Sequence, residues 1–366
     1  LTTPELDSIY DLPFTRLAHP DYYSEGGVPA IQEVQFSLVS HRGCFGSCSF
    51  CAITSHQGRI IQSRSRESLL REAAILTKMP AFKGYIHDVG GPTANFRHPS
   101  CEGQLERGTC RGRECLGSHP CPNLDTDHSE YLDILRAIRA LPGVKKVFVR
   151  SGIRYDYLLA GELEPFLTEL CSHHVSGQLK VAPEHVSKRV TDLMGKSGVE
   201  AFLAFSEAYS RVNGKLGKEQ YLVPYFMSSH PGATLSEAVE LAEFLRDTGM
   251  HPEQVQDFIP TPGTLSTCMY YTGINPLTGE RVPVARSAYD KRLQRALLQY
   301  RDPKNADLVR EALARSGRKD LIGTGPRCLV RPAGHVAGQG MRRSAAREKG
   351  TGGAEVGKGK DRRRRI

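Results

Sequence analysis

From Val34 to Ile259 the sequence repeats one pattern six times: a short run rich in β-branched and aromatic residues, then a loop, then a helical stretch. The runs predicted as strands are Val34–Val39, Gly84–Val89, Val144–Arg150, Gln178–Ala182, Tyr221–Phe226 and Val255–Ile259. Between them, helices are expected over Arg66–Lys78, Glu130–Ala140, Glu162–His174, Val199–Val212 and Leu235–Asp247. The third of these puts Leu163, Phe166, Leu167 and Leu170 on one face, the stripe that a core-facing helix needs. Asp127 with Glu130, and Thr234 with Glu237, have the spacing of capping boxes. Strand–helix alternation implies an α/β fold with a parallel sheet and helices outside. Six units are too few for an eight-unit barrel, so a partial (β/α)6 barrel is expected.

In barrels of this kind the active site lies at the C-terminal ends of the strands. The chemically notable residues fall there in register. Cys44 follows the first strand, Gly90-Gly91 the second and Ser151 the third. Glu184 follows the fourth, His230-Pro231-Gly232 the fifth and Pro260-Thr261-Pro262-Gly263 the sixth.

Around this core, residues 31–268, lies a lead-in over 1–30 that is rich in Pro, Tyr and Gly and has no clear period. Residues 269–330 read as a small helical appendage, with helices over Arg286–Tyr300 and Ala306–Arg315. Residues 331–366 hold eleven Lys or Arg against three Asp or Glu and almost no large apolar residue. Such a segment cannot bury enough surface to order itself, so a disordered basic tail is expected. It carries nearly all of the chain's formal net charge of +9. The core is therefore close to neutral and offers no basic groove; nucleic acid is a partner only through the tail. No run of eighteen apolar residues exists, so no membrane span is expected. The opening Leu1-Thr2-Thr3-Pro4 has no leader features and no initiator Met, as in a piece cut from a longer chain. A cytoplasmic location is expected.

Seven of the ten cysteines lie between Cys44 and Cys121, clustered at short spacings that oppose a disulfide framework. Cys171, Cys268 and Cys328 are expected as buried apolar fillers. Cys44-Phe45-Gly46-Ser47-Cys48-Ser49-Phe50-Cys51 places three thiols within eight residues. Three thiolates can wrap one [4Fe–4S] cluster and leave its fourth iron open to a ligand. The rival is a zinc site completed by His41 or His56. Residues 92–128 form a Cys-rich insertion with Cys101, Cys110, Cys115 and Cys121, the right number for a second metal site. An auxiliary Fe–S cluster, a zinc ion and unligated thiols are all open readings of it.

The motif resembles the CxxxCxΦC signature of the radical S-adenosylmethionine (SAM) superfamily, with Phe50 as the aromatic. The resemblance implies that Cys44, Cys48 and Cys51 hold the cluster, that its open iron chelates SAM, and that Phe50 lies near the adenine. It implies an oxygen-sensitive enzyme that cleaves SAM to a 5′-deoxyadenosyl radical, which abstracts a substrate hydrogen. Gly90-Gly91-Pro92 resembles the Gly-Gly-Glu whose backbone meets the SAM amino group, with Pro92 in place of the acidic residue. Ser151, Arg154 and Glu184 are positioned as SAM or substrate contacts, and no residue is singled out as catalytic. QLKVAPEHVSKRVTDLM, EQYLVPYFMSSHPGATLSEAVELAEFL and FIPTPGT resemble the later units of methylthiotransferase-like and cobalamin-associated members. From about Leu12 to Leu329 the chain is similar to YgiQ-type radical SAM proteins, through SHRGCFGSCSFCAITSHQGR, DVGGPTAN, LKVAPEH, GKEQYLVPYFMSSHPG and MYYTGINP. Those proteins usually carry a preceding domain that resembles a cobalamin-binding fold. The resemblance also implies an electron donor such as flavodoxin or ferredoxin; it names no substrate. The alternative from another class is a structural-zinc, nucleic-acid-binding module whose basic arm ends in Arg362-Arg363-Arg364-Arg365.

Overall fold

The computed structural model describes residues 1–252 and 255–334. Its strands are β1 (Ser37–Val39), β2 (His41–Arg42), β3 (Gln62–Ser63), β4 (Tyr85–Ile86), β5 (Asp88–Gly90), β6 (Lys146–Val147), β7 (Gln178–Glu184), β8 (Tyr221–Ser228) and β9 (Gln256–Asp257). All six anticipated strand regions pair in parallel, so the fold is α/β. They form two groups of three among the described residues. In the first, one extended stretch changes partner at His87: β4 pairs with β6, and β5 pairs with β1. In the second, β8 lies between β7 and β9. No ladder joins the two groups among the described residues. Val34 is not in β1; it ends the short helical turn Ile31–Val34 and is exposed.

Alternation along β7 explains its seating: Leu179 and Val181 are buried while Gln178 and Lys180 are exposed. The helix Leu163–His173 buries Phe166, Leu167 and Leu170, the stripe read from the sequence. The box of Thr234 and Glu237 caps the helix Leu235–Thr248. The box expected of Asp127 and Glu130 does not form. The cap of Ser129–Arg139 is His128, and Glu130 instead pairs with buried Arg97 at 2.6 Å. A tertiary ion pair outcompetes the local signal there. The lead-in contains an unexpected helix, Thr3–Tyr10, with its own box of Thr2 and Glu5.

Two main cores result. One packs Leu38, Ile86, Val89, Val147, Leu179 and the helices over them. The other joins Val239, Leu241 and Leu245 to Leu293, Leu297, Val309 and Leu313. The helices Ala288–Leu298 and Ala306–Arg315 thus share a core with the sixth unit's neighbour, and residues 1–332 form one compact unit. The expected basic tail, 331–366, falls outside the described residues from 335 onward. No described helix is long and apolar enough to cross a membrane.

The two-residue antiparallel ladder of β2 and β3, unforeseen from the sequence, has one consequence for the site. It ties together the two ends of the loop that carries Cys44, Cys48 and Cys51.

Candidate active site

The cysteine loop is held at every turn. Gly43 has φ +88°, and a side chain there would run into the Ile60 carbonyl. The Cys44 N–H donates to the Gly58 carbonyl at 3.0 Å. Ser47 takes a left-handed φ of 51°, which a non-glycine residue adopts only where surroundings impose it. The Ser49 N–H donates to the Met194 carbonyl at 2.9 Å. Its hydroxyl lies 2.7 Å from both the Leu193 carbonyl and the Ser266 hydroxyl. Ser266 is in turn 2.7 Å from Nε2 of buried His230, whose Nδ1 lies 2.8 Å from the Pro231 carbonyl. Phe50 packs edge-on to the His230 ring, centroids 6.0 Å apart.

Cys44, Cys48, Cys51 and Phe50 line a cavity of about 300 Å³ together with Ser151, Arg154 and Glu184. Seven residues predicted from sequence, from three separated regions of the chain, therefore converge. Arg154 is buried, and its guanidinium bridges two partners. Nε and Nη2 donate to Asp156 at 2.7 and 3.0 Å, while Nη1 donates to Cys48 Sγ at 3.1 Å. Glu184 ends β7 at a break in its register with β8, in a left-handed backbone of φ 67°. Its side chain is buried with Oε2 unpartnered, and burial raises its pKa above the usual carboxylate value. Lys196, also buried, lines the same cavity and opposes that rise.

Gly90 and Gly91 line an adjoining cavity of about 510 Å³ that shares Pro92, Ser151 and Lys180 with the first. Packing accounts for both glycines. A side chain at Gly90 would collide with Ser151, whose hydroxyl and N–H are taken up by Asp88. One at Gly91 would come within 2.6 Å of the His41 ring.

The donor set, three cysteine thiols on one loop, is compatible with a cubane cluster. The three motif thiols are free and share one cavity. Yet among the described residues no three His, Cys, Asp or Glu side chains are gathered tightly enough to hold one metal ion. A four-iron cube spreads its ligands wider than one ion does, so a loop shaped for it need not present a single-ion shell. Burial, then the neighbouring thiol of Cys48, pushes Cys44 up to about 11, with Arg154 opposing. The two histidines weighed as zinc ligands lie elsewhere. His56 is exposed on the helix Ile53–Gln57. His41 is buried beside Ser40 and held at about 3 by burial and by Arg97.

In the insertion, Cys110 is exposed, whereas Cys101, Cys115 and Cys121 are half-buried. Cys115 lies 3.1 Å from the Ser100 hydroxyl, and its thiol is raised chiefly by burial, with lesser contributions from Cys121 and Cys101. Arg59 donates to the carbonyls of Cys110 and Arg113 at 3.0 and 3.1 Å and pairs with Glu114. The insertion has a small core of its own: Phe96 and Leu116 pack with Phe45, Ile61 and Tyr157, and both Cys44 and Cys115 touch that cluster. Of the three scattered cysteines only Cys171 is a buried filler; Cys268 is exposed and Cys328 half-buried.

Sequence reading missed Asp156, Lys196 and Tyr225 in the cavity region. Asp156 was signalled by standing two residues after Arg154. Nothing local distinguishes Lys196, whose burial is wholly tertiary.

A family described as "Radical SAM N-terminal" matches residues 1–37, and a domain of unknown function, DUF3362, matches residues 253–365. A UPF0313 protein of Clostridium botulinum strain 657 is 58% identical over 330 residues, 90% of this chain and 52% of that protein. One from Methanocella arvoryzae is 57% identical over 332 residues, 91% of this chain and 55% of its own length. The chain thus spans about half the length of the curated relatives it matches. Two solved structures are more distant. TsrM from Kitasatospora setae, a radical SAM methyltransferase with cobalamin and a [4Fe–4S] cluster bound, is 12% identical with a TM-score of 0.39. That match covers 64% of this chain and 38% of TsrM. Methylornithine synthase (PylB) is 12% identical with a TM-score of 0.38, over 82% of this chain and 73% of PylB.

Proposed function

Because this chain is a UPF0313-type (YgiQ-type) protein of the radical SAM superfamily, we propose that it is the catalytic half of a cytoplasmic SAM-cleaving enzyme. One observation carries the reading: Cys44, Cys48 and Cys51 line a single cavity with Phe50, Ser151, Arg154 and Glu184 at the ends of parallel strands. The finer fold that accompanies this reading is a partial (β/α)6 barrel.

The cysteine thiolates would hold a [4Fe–4S] cluster. When bound and reduced by a donor such as flavodoxin or ferredoxin, that cluster supplies the electron that splits SAM into methionine and a hydrogen-abstracting 5′-deoxyadenosyl radical. The chain supplies binding, orientation and exclusion of water. Phe50 offers an aromatic face and edge beside the cysteine loop. Glu184 and Lys196 bring an acidic and a basic side chain, both buried, to the lining, suited to the zwitterionic end of an amino-acid-bearing ligand. Gly90 and Gly91 border the neighbouring cavity, where backbone can approach a ligand without a side chain intervening. Tyr225 lines both the cysteine cavity and an open groove with Lys291 and Arg295, a route for substrate to reach the site.

The test is anaerobic reconstitution with iron and sulfide, followed by SAM and dithionite. A brown protein that forms 5′-deoxyadenosine is expected. Cys48→Ala should abolish both iron uptake and product. Cleavage by that variant at the wild-type rate would refute the assignment, and a colourless, zinc-loaded wild type would favour a structural metal site.

A further inference from the structure

We propose that Arg154 is a positioning residue that sets the reduction potential of the cluster held by the cysteine loop. The inference rests on the proposed function and concerns how readily that centre accepts its electron.

The guanidinium is held by two side chains, Asp156 and Cys48, and the Arg154 backbone by a third, Asn95. Asp156 takes Nε and Nη2 in a bidentate fork at 2.7 and 3.0 Å. Asp156 itself is anchored by the Tyr157 N–H at 3.1 Å. The Arg154 backbone is held at both ends by one amide: its N–H donates to Asn95 Oδ1 at 2.8 Å, and its carbonyl accepts from Asn95 Nδ2 at 3.2 Å. With the fork engaged, Nη1 is aimed at one atom, Cys48 Sγ, 3.1 Å away.

The loop is shaped to receive it. Gly46 lies between the first two cysteines, and a side chain there would stand 2.7 Å from Arg154 Nη1 and 3.3 Å from Cys44 Sγ. Gly46 is outside the left-handed region, so no backbone conformation demands a glycine. What demands it is the space that the guanidinium occupies against two cysteine sulfurs. An ion pair serving stability alone would need no such accommodation in the cysteine loop.

Adding an electron to an iron–sulfur centre places more negative charge on its sulfurs, and hydrogen bonds to those sulfurs raise the potential. A permanently charged donor does so more strongly than a neutral amide. Asp156 opposes this in part, but it sits on the far side of the guanidinium from the sulfur, and the nearer charge dominates.

The experiment is an EPR-monitored redox titration of the anaerobically reconstituted chain without SAM, so the readout does not depend on turnover. At the potential that half-reduces the wild-type cluster, Arg154→Gln should lower the reduced-to-oxidised ratio about tenfold, which is about 59 mV for one electron. Arg154→Lys, which keeps the charge, should recover most of that shift. The double variant Arg154→Gln/Asp156→Asn leaves no unpaired buried carboxylate and so guards against misfolding. It should shift in the same direction by a smaller amount. Variants with wild-type iron content and wild-type potential would overturn the inference alone, as would identical shifts in the Gln and Lys variants. A wild type that binds no iron would overturn both this inference and the proposed function.

Discussion

Replacing Gly46 with alanine isolates the fit between Arg154 and the cysteine loop. The backbone tolerates the change, because Gly46 is not in the left-handed region. The added methyl would lie 2.7 Å from Nη1, well inside van der Waals contact. A flexible arginine would swing away at little cost, but Asp156 holds this one at Nε and Nη2. Either the guanidinium is displaced or the loop backs off. Losing a charge-assisted hydrogen bond costs about 1.5–3 kcal/mol. Overpacking a tight site costs about 1–3 kcal/mol. Both routes give a destabilisation of about 2 kcal/mol. The assay is urea unfolding of the reduced, cluster-free protein, run as a cycle with Arg154→Gln. If the methyl acts through the guanidinium, its cost largely vanishes once Arg154 is gone, a coupling of about 0.5–3 kcal/mol. Wild-type stability for Gly46→Ala, or the same cost with and without Arg154, would refute the reasoning.

Three further outcomes are expected. Burial holds His41 at about 3 and His128 and His185 at about 4, below the usual 6.5. Unfolding therefore takes up protons below pH 6.5: stability is full above that value and falls as the pH drops towards 4, by about 1.4 kcal/mol per unit for each histidine. Urea midpoints that stay level between pH 7 and pH 5 would contradict this. Iodoacetamide followed by mass mapping of the cluster-free protein should modify exposed Cys110 and Cys268 first and Cys171 last, since burial pushes the Cys171 thiol up to about 12. Thr234→Ala removes the cap of Leu235–Thr248 and should cost about 1 kcal/mol in the same urea assay, whereas an unchanged midpoint would show that the box contributes nothing.

The alternation of strands and helices was legible because each strand's apolar content is local: Leu179 and Val181 announce one face of β7 whatever surrounds it. The cysteine spacing was equally local. Other features depend on residues far away in sequence. Glu130 reads as half of a capping box until Arg97, thirty-three residues earlier, takes its carboxylate. Arg154 reads as a ligand contact, and its aim at Cys48 emerges only when Asp156 fixes the fork. Lys196 sits between Gly195 and Ser197 like any turn lysine, and only the assembled cavity buries it. The helix Thr3–Tyr10 is the reverse case, since Thr2, Pro4 and Glu5 carried its signal openly. Cys268 was misplaced because a thiol's burial has no periodic signature when its helix, Leu265–Thr272, has just two buried positions, Ser266 and Met269.

The line of contacts behind the cysteine loop is one hydrogen short. It runs from the Leu193 carbonyl through the hydroxyls of Ser49 and Ser266 to the His230 ring and ends on the Pro231 carbonyl. Both ends are oxygens that only accept. Four contacts call for four hydrogens, and two hydroxyls with a neutral imidazole bring three. Burial keeps that imidazole neutral, at about 3. Its single N–H faces Pro231, so Ser266 gives its hydrogen to Nε2, and Ser49 must choose between Ser266 and Leu193. Turning one hydroxyl about its C–O bond exchanges the two arrangements with no heavy atom displaced. The backbone between Cys48 and Cys51 is thus moored by a two-way latch, rigid in its atoms and free in one proton.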